Sequence, residues 1–192
     1  FSFAKPSSLI RFLCEISKVR SDDIVMDFFA GSGSTAHAVM DLNAATKSTI
    51  RFVLVQLPEV LDFDDKNHKS GHIFCQKHGL PTTIAELAKE RIRRAGKKIK
   101  LDNAEKSGFD KLDVGFRTLK IDTSSMADVY YAPDALDKAK FDLFVDNIKA
   151  DRTPEDLLFQ VMLDWGVDLA LPITKQSIQG KDVFFVDGNV LA

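Results

Sequence analysis

Hydrophobic positions along the chain change period several times, and each change predicts an element. Leu9, Ile10, Leu13 and Ile16 recur at a roughly helical spacing, and Pro6 sits where a first turn needs no N–H, so residues 7–18 are predicted to be helical. Ser21, Asp22 and Asp23 make a turn. Ile24 to Phe29 is an apolar run bounded by turn signals, the pattern of a strand buried on both faces. The run ends at Ala30-Gly31-Ser32-Gly33, and Thr35 to Asn43 then reads as a helix with Ala36, Val39 and Met40 on one side. Arg51 to Leu57 is a second buried strand, stopped by Pro58. Strand, glycine turn, helix and strand form a βαβ unit, which calls for a parallel sheet.

Residues 61–80 are polar, hold three of the four histidines, and read as a loop. Thr82 and Thr83 can cap a helix, with Glu86 three after Thr83 as in a capping box, and the helix is predicted from Ile84 to Lys98. Residues 102–113 read as a loop and Gly115 to Ile121 as a strand. Helices are predicted over 134–149 and 154–165, the second opening on Thr153-Pro154-Glu155-Asp156, with Trp165 expected in the core nearby. A closing hairpin is expected to pair Asp182 to Val186 with Asn189 to Leu191 around Asp187-Gly188. The weakest seam lies near residues 102–125. It divides the chain into an α/β part, 1–113, and a small C-terminal α+β appendage, 114–192.

Composition adds limits. Of 192 residues, 45% are hydrophobic and 28% charged, which suits a globular chain with a sizeable core. A net charge of −2 excludes a global basic field, so any nucleic-acid contact has to come from a local patch. Cys14 and Cys75 lack metal-type or paired spacing and read as free thiols of a reducing, cytoplasmic compartment. No apolar run approaches a membrane span. The sequence enters a patterned segment directly at Phe1, which hints at a piece of a longer protein, with a removed tag or processed start as the alternative.

The main chemical signal is Asp27-Phe28-Phe29-Ala30-Gly31-Ser32-Gly33-Ser34-Thr35. A strand delivers its carboxyl end to a turn with glycines two apart, and a helix begins there. Such a turn brings backbone close to a ligand, and the helix start offers unpaired N–H groups. Ala36 stands at the third glycine position of the dinucleotide fingerprint, so spacing alone leaves NAD or FAD open. No Walker-type lysine follows, which argues against an NTPase loop. Asp27 discriminates. A carboxylate beside the turn repels pyrophosphate and suits a ligand with a cationic end, such as the amino group of S-adenosylmethionine. At the end of the second strand, Gln56 and Glu59 are candidates for ribose hydroxyls, Glu59 with the alternative of a solvated loop residue.

These residues resemble the cofactor loop of amino-DNA methyltransferases of the permuted, or beta, class. Phe3-Ala4-Lys5-Pro6-Ser7-Ser8-Leu9-Ile10 is similar to the F-x-x-K-P segment that precedes the loop in that class. Two motifs in the right order are more specific than either alone. Phe52-Val53-Leu54-Val55-Gln56-Leu57-Pro58-Glu59, Glu90-Arg91-Ile92-Arg93-Arg94, Gly115-Phe116-Arg117 and Glu155-Asp156-Leu157-Leu158 are similar to type III modification subunits. Gln56 departs from the acidic residue that many beta-class enzymes have there.

The resemblance implies a partial Rossmann-like S-adenosylmethionine methyltransferase sheet, with the cofactor held by Phe3, Lys5, Pro6, Ser7, residues 27–35 (Asp27, Phe28, Phe29, Ala30, Gly31, Ser32, Gly33, Ser34 and Thr35), Gln56 and Glu59. It implies an adenine flipped out of DNA, whose N6 attacks the activated methyl in line. The Asp-Pro-Pro-Tyr motif that would hold the base does not occur in this sequence, so this chain alone is expected to transfer no methyl group. Implied partners are DNA, a second copy and a restriction subunit. Two other readings stay open: an NAD- or FAD-binding oxidoreductase piece, and a non-catalytic docking module. Arg91, Arg94 and Lys98, in a basic run, are candidates for DNA phosphates, against the alternative of a solvated face. His68, His72 and His78 lack the spacing of metal ligands, and no metal is expected.

Overall fold

The computed structural model describes residues 4–106, 112–127 and 147–188. Phe3, most of the helix expected over 134–149, and Asn189 to Leu191 lie outside the described residues. The chain forms two compact units, 1–118 and 119–192.

Unit 1 is built around one helix. Helix α1 (Ser7–Ile16) leads to strand β1 (Ile24–Asp27), helix α2 (Ser34–Thr46), strand β2 (Arg51–Leu54), helix α3 (Lys69–Lys77) and helix α4 (Ile84–Asp102). Strands β1 and β2 pair in parallel, with Val25 opposite Phe52 and Asp27 opposite Leu54, so the expected βαβ unit is present. Both strands are shorter than the apolar runs, because Phe28 and Phe29 already turn away and Gln56 and Leu57 lie beyond the ladder.

Helix α2 is buried on nearly every side, and its buried polar side chains Ser34, Thr35 and Asn43 are each hydrogen-bonded. Ala36, Met40 and Ala44 repeat every four residues and meet Ile92, Ala95 and Ile99 of α4. Val39 and Leu42 turn toward Cys14 of α1, with Ile50, Val25 and Phe52 closing that cluster. Small side chains on α2 let the neighbouring elements approach closely.

The strands are half buried, not buried on both faces. Val25 and Phe52 face the core, whereas Ile24, Met26 and Val53 are exposed. The reason is that the helices of unit 1 contact one face only. Among the described residues, β1 pairs with β2 and with no other strand.

Further expectations need correction. Residues 61–80 are not all loop: Gly71 and Cys75, four apart, bury one side of α3. Gly115 to Ile121 is not a strand. Leu112, Val114 and Phe116 alternate inward onto the core cluster of α2 and α4, so the segment lies on a helix, which offers no ladder. Gly96 permits this approach, since a Cβ there would stand 3.0 Å from the Val114 Cβ. The residues predicted for the appendage from 114 onward therefore begin on unit 1.

In unit 2, helix α5 (Pro154–Asp164) starts on a capping box: the Thr153 hydroxyl accepts from the Asp156 N–H, and the Asp156 carboxylate accepts from the Thr153 N–H at 2.8 Å. Strands β3 (Ile173–Ile178) and β4 (Lys181–Val186) form an antiparallel hairpin that turns at Gln179 and Gly180, both in the left-handed region, not at Asp187-Gly188. Trp165 is 70% exposed, contrary to expectation, because it caps the end of α5 while Met162 takes the buried position.

Asn43 ties the end of α2 to the approach to β2. Its Nδ2 donates to the Ile50 carbonyl at 2.8 Å, and its Oδ1 accepts from the Ile50 N–H at 3.0 Å and the Ser48 hydroxyl at 2.9 Å. Asn43→Ala leaves both buried Ile50 groups without these partners, so urea unfolding should show a loss of about 2 to 4 kcal/mol. A loss within error of zero would refute this role.

Candidate cofactor site at the glycine bend

The bend between β1 and α2 is held by side chains from three directions. Asp27, at the end of β1, accepts from the Phe29 N–H through Oδ1 (3.1 Å) and from the Thr35 hydroxyl through Oδ2 (2.6 Å). Gln56, just past β2, accepts from the Gly31 N–H at 2.7 Å, and the Val55 carbonyl accepts from the Ala30 N–H at 3.2 Å. From α4, Nη1 of Arg91 donates to the Ser32 hydroxyl at 2.7 Å and to the Ser34 hydroxyl at 2.8 Å.

Both glycines of the bend lie in the left-handed region, with φ of 53° at Gly31 and 74° at Gly33. At Gly33 space is short too: a Cβ would come within 3.3 Å of the Ala88 carbonyl oxygen and 3.2 Å of Ile92. Gly33 is also the N-cap of α2 and has no side chain to cap it. The first N–H groups of α2 are left without intrahelical acceptors, beside a positive dipole end.

The structure places the predicted site residues in several groups. Asp27, Ala30, Gly31, Ser32, Gly33, Ser34, Thr35 and Gln56 come together at the bend. Ser32, Ser34 and Thr35 are buried, so their side chains line its inner side, while Phe29 is 90% exposed and Phe28 is largely exposed. Lys5 and Pro6 are exposed at the entry to α1, and Ser7, half buried, begins that helix. The Glu59 side chain is exposed, while its carbonyl accepts from the Ile84 N–H at 3.0 Å. Of the basic run, Arg94 pairs with Glu90 at 2.7 Å and lies over the Phe74 ring, and Lys98 is exposed. Arg91 points inward to the bend, a role that periodicity does not reveal.

A cavity of about 350 Å³ adjoins the bend, lined by Ala4, Ser32, Ser70, Gly71, Phe74, Leu87, Arg91 and Arg94. A larger pocket, about 530 Å³, lies instead toward the C-terminal ends of α2 and α4, among Arg11, Asp41, Lys47 and Asp102. It has none of the bend's residues, whereas the smaller pocket takes Ser32 from the bend and Arg91 from behind it. Among the described residues no cluster of His, Cys, Asp and Glu could hold a metal ion, and no helix is long and apolar enough to cross a membrane.

With this geometry in view, the comparisons with known proteins carry weight. Residues 1–55, which contain α1, β1, the bend and α2, match the DNA methylase family model. The chain resembles type III modification subunits. It is 44% identical over 90 residues to the EcoP15I Mod subunit of Escherichia coli, covering 47% of this chain and 12% of that protein. It is 32% identical over 123 residues to the StyLTI Mod subunit of Salmonella typhimurium, covering 64% of this chain and 17% of that protein. It is 36% identical over 111 residues to the EcoPI Mod subunit of Escherichia phage P1, covering 57% and 16%. The matched stretch thus spans less than a fifth of each relative.

His37, in the first turns of α2, lies 3.3 Å from Asp41. Burial pushes its imidazole below the ordinary value of 6.5; Asp41 opposes this, while Arg91 and Lys98 add to it. The folded chain therefore keeps His37 deprotonated to a lower pH than the unfolded chain, which takes up its proton near pH 6.5. This contribution is fully present above that pH and declines as pH falls from it toward the lower folded value. His37→Gln should lose less stability than the parent between about pH 7.5 and about pH 5.5 in urea unfolding. Parallel losses in both proteins would show that His37 is not the group responsible.

Proposed function

We propose that this chain binds S-adenosylmethionine at the β1–α2 bend and serves an adenine-N6 DNA methyltransferase of the type III modification kind, on a Rossmann-like sheet. The observation that supports this best is the pinned glycine bend, with Asp27 on one side and the uncapped start of α2 on the other. Each Asp27 oxygen takes one hydrogen bond from the bend and keeps a further lone pair for a cationic group. The N–H groups at the α2 start suit a carboxylate. The exposed Phe29 ring offers a face for an adenine. An α-amino acid joined to a nucleoside presents all three features.

The bound donor supplies a methyl group already activated on a sulfonium. The chain's own residues bind and orient: Gln56 and Arg91 fix the bend before the ligand arrives, so less ordering remains at binding. DNA, a second copy and a restriction subunit are the proposed partners. The exposed sheet face of Ile24, Met26 and Val53, with the open edge of β1, is the surface we assign to self-association. Unit 2 is assigned to docking.

Two measurements test the reading. Calorimetric titration should give binding of S-adenosylmethionine and none of NAD; Asp27→Asn should weaken it by on the order of tenfold. Binding of NAD in preference to S-adenosylmethionine would end the proposal. In sedimentation at micromolar concentration the chain should be dimeric, and a Met26→Lys, Val53→Lys variant monomeric. A monomeric parent chain removes the self-association part alone.

A further inference from the structure

Arg91 stands apart from the rest of its basic run. Glu90 takes Arg94 and Arg93, and Glu86 takes Lys89, but among the described residues no carboxylate pairs with Arg91. Its guanidinium is half buried, and burial holds it below the ordinary arginine value. The two hydrogens of Nη1 go to Ser32 and Ser34, residues 59 and 57 positions away, whose hydroxyls lie 3.4 Å apart. Both serines are more than nine-tenths buried, so Arg91 grips the bend from its inner side and not from the face open to solvent. Three guanidinium donors remain, beside a cavity that Ala4 lines from the segment before α1.

Two consequences follow from this placement. A fork anchored on α4 fixes the positions of Ser32 and Ser34, and hence the backbone N–H groups of the bend. A positive charge that no described carboxylate pairs with also raises the potential at that bend, where an anionic group is favoured. Asp27 sits on the strand side of the same bend with the opposite sign.

We infer that Arg91 is a positioning residue for the methyl donor: acting through Ser32 and Ser34, it shapes and charges the bend so that the donor's carboxylate is recognised. The inference rests on the reading of the bend as the S-adenosylmethionine site. It assigns the two charged groups on the donor's α-carbon to different partners, the ammonium to Asp27 and the carboxylate to the bend backed by Arg91.

The test compares S-adenosylmethionine with its decarboxylated analogue, which keeps sulfonium and amine but lacks the carboxylate. In calorimetric titration of the 192-residue chain, Arg91→Met should weaken S-adenosylmethionine on the order of tenfold while changing the analogue far less. Arg91→Lys, with charge but no fork, should recover part of the loss. The pair Ser32→Ala, Ser34→Ala should also weaken the full donor, and adding Arg91→Met should cost less than the sum of the separate losses. Circular dichroism checks folding; if Arg91→Met does not fold, the lysine variant and the serine pair decide by the same comparison. Equal losses for both ligands, or none, would overturn the inference while leaving the site reading in place. A parent chain that binds neither ligand overturns both.

Discussion

The architecture of unit 1 depends on how the backbone passes from β1 into α2. At Gly33 the chain takes a left-handed turn against α4, where a Cβ would come within 3.3 Å of the Ala88 carbonyl oxygen. Only glycine satisfies both the dihedral and the space. Because α2 begins there, the turn also sets the direction of the helix whose sides supply two hydrophobic clusters. An error at the bend would misplace Met40 against α4 and Val39 against α1 at once.

The same bend is polar, and polar groups brought inside must be matched. The ties come from separate parts of the sequence: Asp27 from the preceding strand, Gln56 from beyond the next one, Arg91 from α4. Helix α4 serves packing and polar structure through adjacent residues. Ile92 enters the cluster with Met40, while Arg91 reaches the serines. Substitutions on α4 can therefore reach the site through the core as well as through charge.

Much of unit 1 was legible because its signals are local. The apolar run to Asp27, the glycines and the small residues of α2 lie within one stretch, and Thr83 announces α4, accepting from the Glu86 N–H. What was not legible depends on partners distant in sequence. Helix α3 buries Gly71 and Cys75, too sparse an apolar face to stand out among polar residues. Val114 and Phe116 alternate as a strand would, yet their partner is a helix with a glycine at the crossing. The hairpin was misplaced because Asp187-Gly188 is a strong turn signal, while Gln179-Gly180 makes the actual turn with a less favoured first residue. At the site, the glycines and Asp27 could be read from their spacing, but the pairing of Arg91 with two serines more than fifty residues away could not.

Charge decides among the ligands that this kind of bend can hold. A pyrophosphate would gain from the α2 start and from Arg91, but it would meet the Asp27 carboxylate at the strand end. A ligand with only a cationic group would satisfy Asp27 and leave the α2 start and Arg91 without an anion. A zwitterion matches both signs, provided its ammonium and carboxylate are as close together as on one α-carbon. The uncovered Phe29 ring lies two residues beyond Asp27 in the chain, which agrees with the proposed donor, an amino acid that also carries an aromatic base. That combination limits the choice more narrowly than the glycine spacing, which dinucleotide sites share.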